Sequence, residues 1–296
     1  MNTGEIHVPV MLEEVIKHFD IKKNGIYIDC TFGNGGHTKA ILEKLETGKI
    51  IAFEWDKKTV EFIKNNNLFH SSKFHLINDN FSNLAEHLKH LDIKEIDGFL
   101  FDLGLSSWQL GEEGRGFSYR LNSPLDMRIN QDKNLTAEFV VNNYSYEKLI
   151  DIFYYYGEER KARIIARKIC YWREQQQITS TQQLVSIIAP CFPKKRNIHP
   201  ARKIFQSLRI FVNSELENLS QALESAFKYL SPKGKIIVIS YHSLEDRIVK
   251  QTFKKYSSQE KFQIITKKPL IPSAEEIKKN NKSRSAKMRV IEKINI

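Results

Sequence analysis

Two neighbouring segments of the chain carry residue types that suit the binding of a nucleoside. Asp29 ends an apolar run and is followed by Gly33, Gly35 and Gly36, while Glu54 ends the next apolar run. Glycine lets the backbone turn sharply and lets a ligand approach without a Cβ in the way. A carboxylate at the end of a second strand can accept hydrogen bonds from both ribose hydroxyls. These residues predict a nucleoside cofactor site at a turn between a strand and a helix.

The last position of this turn bears on which cofactor it suits. Dinucleotide sites favour a third glycine there, because it eases packing between helix and strand, whereas this chain has Thr38. S-adenosylmethionine has no pyrophosphate to cradle, and the carboxylate of Asp29 suits its ammonium group. The pattern therefore favours this methyl donor, and a dinucleotide or a purely structural turn remain the alternatives.

Asp102 ends a later apolar run and is followed by Leu-Gly-Leu-Ser-Ser-Trp-Gln109. Ligands of open α/β sheets bind at the carboxyl ends of the strands, so a methyl acceptor is expected to meet the donor here. The Asp102 carboxylate could draw an N–H of an exocyclic amine out of plane and restore its lone pair, or it could contact the cofactor. Methylation at a ring carbon would need a cysteine nucleophile, and Cys30, Cys170 and Cys191 lie elsewhere. The pattern favours an amine acceptor.

These residues must be positioned by a sheet, because strand and helix patterns alternate in the first part of the chain. The predicted strands are residues 26–29, 50–54, 74–77 and 98–102. The predicted helices between them are residues 38–45, 57–64 and 82–91. This alternation predicts an α/β fold with a mostly parallel sheet that is covered on both sides.

The middle of the chain is helical and shows no convincing strand. Residues 158–173 form an amphipathic pattern, with Arg160, Arg163 and Arg167 on one side. Thr179 and Gln182 have the spacing of a capping box that opens a further helix. The pattern predicts one α/β domain with a first part at residues 1–109, a helical insertion for substrate recognition at 110–200, and a second part at 201–296.

The second part begins with one long predicted helix at residues 201–230. A strand, Lys-Ile-Ile-Val-Ile-Ser, follows it, and then a helix begins near Leu244. Residues 262–266 and 288–292 are predicted to form two closing strands, and the segment 269–285 between them reads as a mobile linker rich in lysine, asparagine and serine.

Charge and composition point to an acidic partner molecule. The net charge is +11. Residues 157–209 carry 12 basic and 3 acidic residues, and residues 254–289 carry 11 and 3. Two basic segments on an otherwise acidic body are typical of a polyanion-binding protein, although solvated helix faces would look the same.

No apolar run is long enough to span a membrane. Three cysteines without paired spacing argue against disulfides and a metal site and indicate the cytoplasm.

Two histidines each have two interpretations. His37 could bind the carboxylate of the cofactor or cap the helix after the glycine turn. His242 follows the last predicted parallel strand, so it could touch a target base or be an ordinary hydrogen-bonded histidine. Ser243 and Asp246 beside it have the spacing of a helix cap.

A segment after Asp102 combines aromatic and basic residues. Phe117 and Tyr119 lie between Arg115 and Arg120. They could stack on bases while the arginines bind phosphates, or they could pack as a loop that closes the cofactor pocket. Farther on, Asp126 and Arg128 could simply pair with each other.

Nine sequence blocks in a fixed order resemble the bacterial MraW/RsmH methyltransferases. They are HVPVMLEEV, YIDCTFGNGGHT, FDLGLSSWQL, RGFSYR, SPLDMR, YGEERKARIIARKI, HPARKIFQSLRIFVNSEL, ISYHSLEDRIVK and RSAKMR. The resemblance spans the whole chain. It implies a class I S-adenosylmethionine-dependent methyltransferase, with a Rossmann-like, mostly parallel seven-stranded sheet, a reversed closing strand and an inserted helical domain. It also implies methylation of N4 of a cytosine in 16S ribosomal RNA of the small subunit, near the decoding centre.

The resemblance also implies which residues bind the cofactor. The matching positions are Gly35, Gly36, His37, Glu54, Phe81, Asp102 and Gln109. The chain departs from the family pattern at Glu54, where aspartate is common, and at Trp108, where proline is usual. Neither departure removes a charge or donor that methyl transfer needs. Alternatives that stay open are a non-catalytic RNA-binding or ribosome-assembly factor, methylation of a protein, and either a monomer or a homodimer.

Overall fold

The computed structural model describes residues 9–66, 68–105, 109, 114–193 and 199–294, and the chain divides into two units. The first unit is formed by Met1–Gly104 and Leu216–Ile296, and the second by Leu105–Glu215. The second unit therefore extends to Glu215, beyond the border at residue 200 that the sequence suggests.

The first unit alternates strands and helices. Its elements are α1 (Leu12–Phe19), β1 (Ile26–Asp29), α2 (Gly36–Leu42), β2 (Lys49–Phe53), α3 (Lys57–Asn65), β3 (Phe74–Ile77), α4 (Leu84–His90) and β4 (Ile96–Asp102). The helices of the second unit are α5 (Ala137–Asn143), α6 (Tyr146–Asp151), α7 (Ala162–Arg173), α8 (Thr181–Ile188) and α9 (Arg202–Asn213). The elements that return to the first unit are α10 (Glu215–Tyr229), β5 (Leu230–Ser240), α11 (Ser243–Ser257), β6 (Phe262–Ile264), α12 (Ala274–Lys279) and β7 (Lys287–Lys293).

The strands form one seven-stranded sheet with the order β3-β2-β1-β4-β5-β7-β6. Strands β1 to β5 pair in parallel, and β7 runs antiparallel to both β5 and β6. The predicted α/β fold with a mostly parallel sheet and a reversed strand is confirmed. Because the parallel strands share a direction, Asp29 and Asp102 end at the same edge.

The sheet is buried on both faces. Successive strand residues point to opposite sides, and helices cover each side. Ile28, Phe99 and Phe101 face one apolar core, which the helices α4, α10 and α11 cover. Tyr27 and Leu100 face the other core, which α1 and α2 cover. Apolar residues therefore fill both sides, as expected for a parallel sheet.

The second unit is helical and has a core of its own. The apolar side of α7 is buried there, at Ala162, Ile165, Ala166 and Ile169. Helix α8 begins one residue later than its sequence predicts: Ser180 is the N-cap, and it forms the capping box with Gln183 instead of Thr179 with Gln182.

The long helix predicted at residues 201–230 is two helices. Ser214 has left-handed backbone angles (φ 52°) and separates α9 from α10. The buried side chain of Asn213 explains the break. Its amide nitrogen donates to the carbonyl oxygens of Met127 and Arg209, and its oxygen accepts from the backbone N–H of Ile129. Arg209 also forms a two-point ion pair with Glu215.

The segment 269–285, predicted to be a mobile linker, is folded. It contains α12, which Ser273 caps. The backbone of Leu270 bonds to that of Met288 in β7, and the Glu276 carboxylate accepts from the backbone N–H of Met11. This segment therefore connects the sheet to the start of α1. Among the described residues, no helix combines the length and the apolar character that a membrane span needs.

Candidate active site

The glycine turn joins β1 to α2 with two residues in the left-handed region. Gly33 has φ 54° and Gly35 has φ 74°. A Cβ added to Gly35 would lie 2.4 Å from the ring of Phe69 and 2.5 Å from that of Phe32. Glycine is therefore required at this position by both conformation and space. The turn ends at Gly36, where α2 begins.

Glu54 lies directly beside this turn. One carboxylate oxygen accepts the backbone N–H of Gly33 at 2.9 Å and the other accepts that of Asp56 at 2.8 Å. Burial raises the pKa of Glu54 to about 7, although the hydrogen bonds to Asp56 and Gly33 lower it. Each oxygen of a carboxylate has two acceptor positions, so a fixed carboxylate remains able to accept bonds from a diol. This donor set fits the ribose of a nucleoside cofactor.

Asp29 is buried and stabilises the glycine turn by hydrogen bonds. Its carboxylate accepts the hydroxyl of Thr38 at 2.7 Å and the backbone N–H of Thr31 at 3.1 Å. Burial raises the pKa of Asp29, against the opposing influence of His37 and Thr38. The hydroxyl at the position where dinucleotide sites favour glycine therefore has a structural partner.

The side chain of His37 reaches back to the start of α1. Its Nε2 lies 3.0 Å from the carbonyl oxygen of Val10, and burial lowers the pKa of the imidazole. Because a carbonyl only accepts, Nε2 carries the hydrogen in the neutral ring. Its Nδ1 lies 3.7 Å from an oxygen of Asp102. Helix α2 has no side-chain cap, so His37 does not have the capping role considered from the sequence.

Asp102 is held at the end of β4 by two neighbours. Its backbone N–H donates to the hydroxyl oxygen of Thr31 at 2.7 Å, and its Oδ1 accepts the hydroxyl of Tyr241 at 2.7 Å. Burial raises the pKa of Asp102 to about 7; the bond from Tyr241 opposes this shift, and the charges of Glu245 and Glu276 reinforce it. Asp102 can therefore exchange a proton near neutral pH.

Tyr241 and Thr31 are site residues that sequence reasoning missed. The backbone N–H of Tyr241 donates to the Glu245 carboxylate at 2.8 Å, which fixes the residue after β5. The available signal was positional: β4 and β5 are parallel neighbours, so the residue that follows β5 lies beside the end of β4.

The other predicted site residues have different surroundings. Phe81 follows β3, and its ring makes an edge contact with Phe101 at 5.9 Å. Gln109 is buried and belongs to the second unit. His242 is the N-cap of α11: its Nδ1 accepts the backbone N–H of Glu245, one position earlier than the predicted cap at Ser243. This is the ordinary hydrogen-bonded role considered for His242. Trp108 lies outside the described residues.

The aromatic and basic segment of the second unit is mostly packed. Arg115 is 1% exposed and donates to the carbonyl oxygens of Arg128 and Ile129. Phe117 is part of the core, and Tyr119 stacks on the ring of His199 at 4.4 Å. The structure therefore contradicts an RNA-facing role for Arg115 and Phe117, because neither is accessible.

Other charged residues of the second unit are divided between pairing and exposure. Asp126 and Arg128 form a two-point ion pair, which lowers the pKa of Asp126 in spite of its burial. Of the arginines predicted to contact RNA, those that are exposed are Arg120, Arg160, Arg163 and Arg167. On α7 the exposed arginines are accompanied by Tyr171, which is 64% exposed, and by Trp172.

The order of the sheet, with β7 reversed between β5 and β6, defines the class I fold of S-adenosylmethionine-dependent methyltransferases. A family model described as the MraW methylase family matches residues 4–294, and the chain belongs to that family. The protein is accordingly a methyltransferase, and S-adenosylmethionine is its cofactor. This assignment decides between the methyl donor and the dinucleotide that the glycine turn left open.

Solved structures resemble the chain at low sequence identity. A candidate rRNA-methylase from Clostridium thermocellum is 16% identical, with a TM-score of 0.46, and the match covers 98% of this chain and 100% of that one. An rRNA methylase from Streptococcus thermophilus is 12% identical, with a TM-score of 0.43 and coverage of 99% and 100%. A candidate methyltransferase from Streptococcus mutans, in complex with SAH, is 13% identical, with a TM-score of 0.44 and coverage of 97% and 100%.

Proposed function

We propose that the protein transfers a methyl group from S-adenosylmethionine to the exocyclic N4 amine of a cytosine in 16S ribosomal RNA, near the decoding centre and in the cytoplasm. The observation that supports it most is the position of Asp102. Its backbone is bonded to Thr31 in the glycine turn, and its carboxylate lies 3.7 Å from His37. A carboxyl group that can take up a proton near neutral pH thus adjoins the turn that suits the donor.

The donor would be held by the glycine turn and by Glu54, and when bound it supplies an electrophilic methyl group. Glu54 would accept the ribose hydroxyls, because both of its oxygens are already oriented by backbone N–H groups. Asp29, His37 and Phe81 would complete the donor site of the first unit, as the family resemblance implies. The burial of Asp29 and His37 would keep water from the donor.

Asp102 would act on the acceptor amine. The Tyr241 hydroxyl occupies Oδ1 of Asp102, so Oδ2 is the oxygen that would face an incoming N–H group. A bond to that oxygen would draw the amine hydrogen out of the plane of the base, and the carboxylate would take the proton as the new N–C bond forms. Alignment of the reacting atoms would supply most of the rate. The choice of N4 follows from the family resemblance.

The charge of the surface supports an RNA substrate. Exposed Arg163, Arg167 and Tyr171 are four residues apart along α7 and therefore share one face, and unpaired RNA is recognised by stacking together with phosphate contacts. A base inside folded RNA must be turned out to reach a site at the sheet edge. We infer that the substrate is a polyanion that offers an unpaired base.

The test uses labelled donor and small ribosomal subunits from a strain that lacks this activity. We expect mass spectrometry to locate one added methyl group on N4 of a 16S cytosine near the decoding centre. The Asp102→Asn variant should lose at least about 100-fold in kcat, as expected for a group that handles a proton.

Calorimetry with S-adenosylhomocysteine is the control, and its Kd should change less than about threefold in the variant. A large loss of this binding would show that Asp102 contacts the cofactor instead. If small subunits incubated with the wild-type protein gain no N4 methyl group although the protein binds the donor, the proposed substrate is contradicted.

A further inference from the structure

An open cleft of about 300 Å³ lies beside the candidate active site, in the first unit. It is lined by Tyr241, His242, Ser243, Ile271 and the segment 284–287. The segment precedes β7, and the first three residues lead from β5 into α11. Ligand pockets commonly measure about 300–1,000 Å³, so this cleft is large enough for a small polar group.

Tyr241 connects the cleft to Asp102. The same side chain that lines the cleft donates its hydroxyl to Oδ1 of Asp102 at 2.7 Å. A molecule with one group at Asp102 therefore has the cleft directly next to it.

The cleft is basic. Arg284 is exposed, and Lys287 is half-buried in its wall. Lys287 pairs with the Asp246 carboxylate at 3.5 Å, and Asp246 is shared with Arg289 at 2.7 Å. Glu245 accepts the backbone N–H groups of Tyr241 and His242. The residues that line the cleft include two cations and no carboxylate, and Asp246 behind them is shared by two cations. An anion is therefore the ligand that the cleft suits.

We propose that this cleft binds the phosphodiester group next to the target nucleotide, with Arg284 and Lys287 as its cations. The proposal rests on the proposed RNA substrate. When the exocyclic amine of the target base is at Asp102, the sugar and its flanking phosphodiester groups extend away from Asp102. The cleft offers cations to one of these phosphodiester groups. The hydroxyl of Ser243 lies in the same wall and can donate to a phosphate oxygen.

The experiment compares Arg284→Gln with Lys250→Gln. Both remove one positive charge from an exposed side chain, but Lys250 lies on α11 outside the cleft. With small subunits as substrate, Arg284→Gln should raise KM about three- to tenfold with kcat within twofold, because a charged hydrogen bond to phosphate is lost. Lys250→Gln should leave both parameters within twofold.

A second readout needs no turnover. Binding of a 16S fragment that contains the target cytosine is measured over a salt series with S-adenosylhomocysteine present. Arg284→Gln should reduce the slope of log Kd against log salt by about one, the value expected for one phosphate contact. Equal behaviour of the two variants would overturn the proposal, and so would weaker S-adenosylhomocysteine binding by Arg284→Gln, since the cleft would then serve the donor. If Arg284→Gln weakens RNA binding but the wild-type protein does not methylate the RNA, the proposed function is refuted while the cleft remains supported as a phosphate site.

Discussion

The buried carboxyl groups at the sheet edge are expected to ionise more readily when a ligand is bound than in the free protein. Glu54 and Asp102 both have pKa values raised to about 7, mainly by burial. A raised carboxyl pKa means that the folded protein favours the protonated form. A ligand that brings hydrogen-bond donors or positive charge to these groups would favour their ionised forms.

Glu54 should therefore make the stability of the ligand-free protein depend on pH. Its carboxyl has an ordinary pKa of 4.5 in an unfolded chain and about 7 when folded. The stability contributed by its proton is complete below pH 4.5 and is lost as pH rises through 7. The shift corresponds to about 3 kcal/mol. We expect the free energy of unfolding, measured with urea, to fall between pH 5 and pH 8.

The Glu54→Gln variant is the matched comparison, because it cannot ionise. Its free energy of unfolding should depend less steeply on pH over the same range, with Asp102 supplying the remaining slope. Parallel pH profiles for the two proteins would refute a raised pKa at Glu54.

At the scale of elements, local signals located the helices and strands but missed contacts that come from distant parts of the chain. The predicted strands 26–29 and 74–77 match β1 and β3, because apolar runs define buried strands. The helix break at Ser214 has no signal of its own, since its cause is a set of bonds from Asn213 to the loop at residues 127–129.

Asn213 should accordingly be important for the stability of the second unit. The Asn213→Ala variant loses three hydrogen bonds and leaves the partly buried N–H of Ile129 without its acceptor. We expect the free energy of unfolding to fall by about 2–3 kcal/mol. The measurement is urea denaturation followed by hydrogen exchange in the second unit.

The control is Asn143→Ala, which removes an exposed side chain whose amide nitrogen donates to the carbonyl oxygen of Phe139 in the same helix. It should cost less than about 0.5 kcal/mol. Similar losses for the two variants would contradict the role given to Asn213.

The candidate site shows the same division between local and distant information. The link between Gly33 and Glu54 was predictable, because each ends or follows a strand and adjacent parallel strands end together. The partners of Asp102 were not predicted, since Tyr241 is 139 positions away along the chain. The role of Arg115 depends on distant contacts too. An arginine beside aromatic residues suggests a phosphate contact, but the guanidinium group of Arg115 donates to backbone carbonyl oxygens inside the second unit.

At the scale of the whole molecule, the two basic segments lie in different units. The exposed arginines of α7 belong to the second unit, and Arg284 and Lys287 belong to the first. Each unit thus has cations that an RNA could contact, and the core of each is separate.

Arg160, which precedes α7, and Arg163 and Arg167 on α7 should contribute to RNA affinity without affecting the donor. Replacing Arg160, Arg163 and Arg167 together by glutamine should weaken binding of the 16S fragment and reduce the salt slope by two to three, about one for each phosphate contact. Calorimetry with S-adenosylhomocysteine should give the wild-type Kd. The measurement is a salt titration of fragment binding.

The matched control replaces Lys44, Lys57 and Lys64, three exposed cations of the first unit, and should change the slope by less than one. Unchanged RNA affinity in the folded arginine triple variant would rule out α7 as a contact surface.

The connection between β4 and β5 has a consequence for synthesis of the chain. These strands are hydrogen-bonded neighbours in the sheet, yet residues 103–229 separate them. A nascent chain that has emerged only to Glu215 already contains β1 to β4 and the entire second unit, while the open edge of β4 still lacks its partner. Phe99 and Phe101, buried on one face of the finished sheet, are then without the cover that α10 and α11 later give. Until the ribosome has delivered residues 216–240, which include β5, the unpaired edge of β4 can hydrogen-bond to strands of other chains.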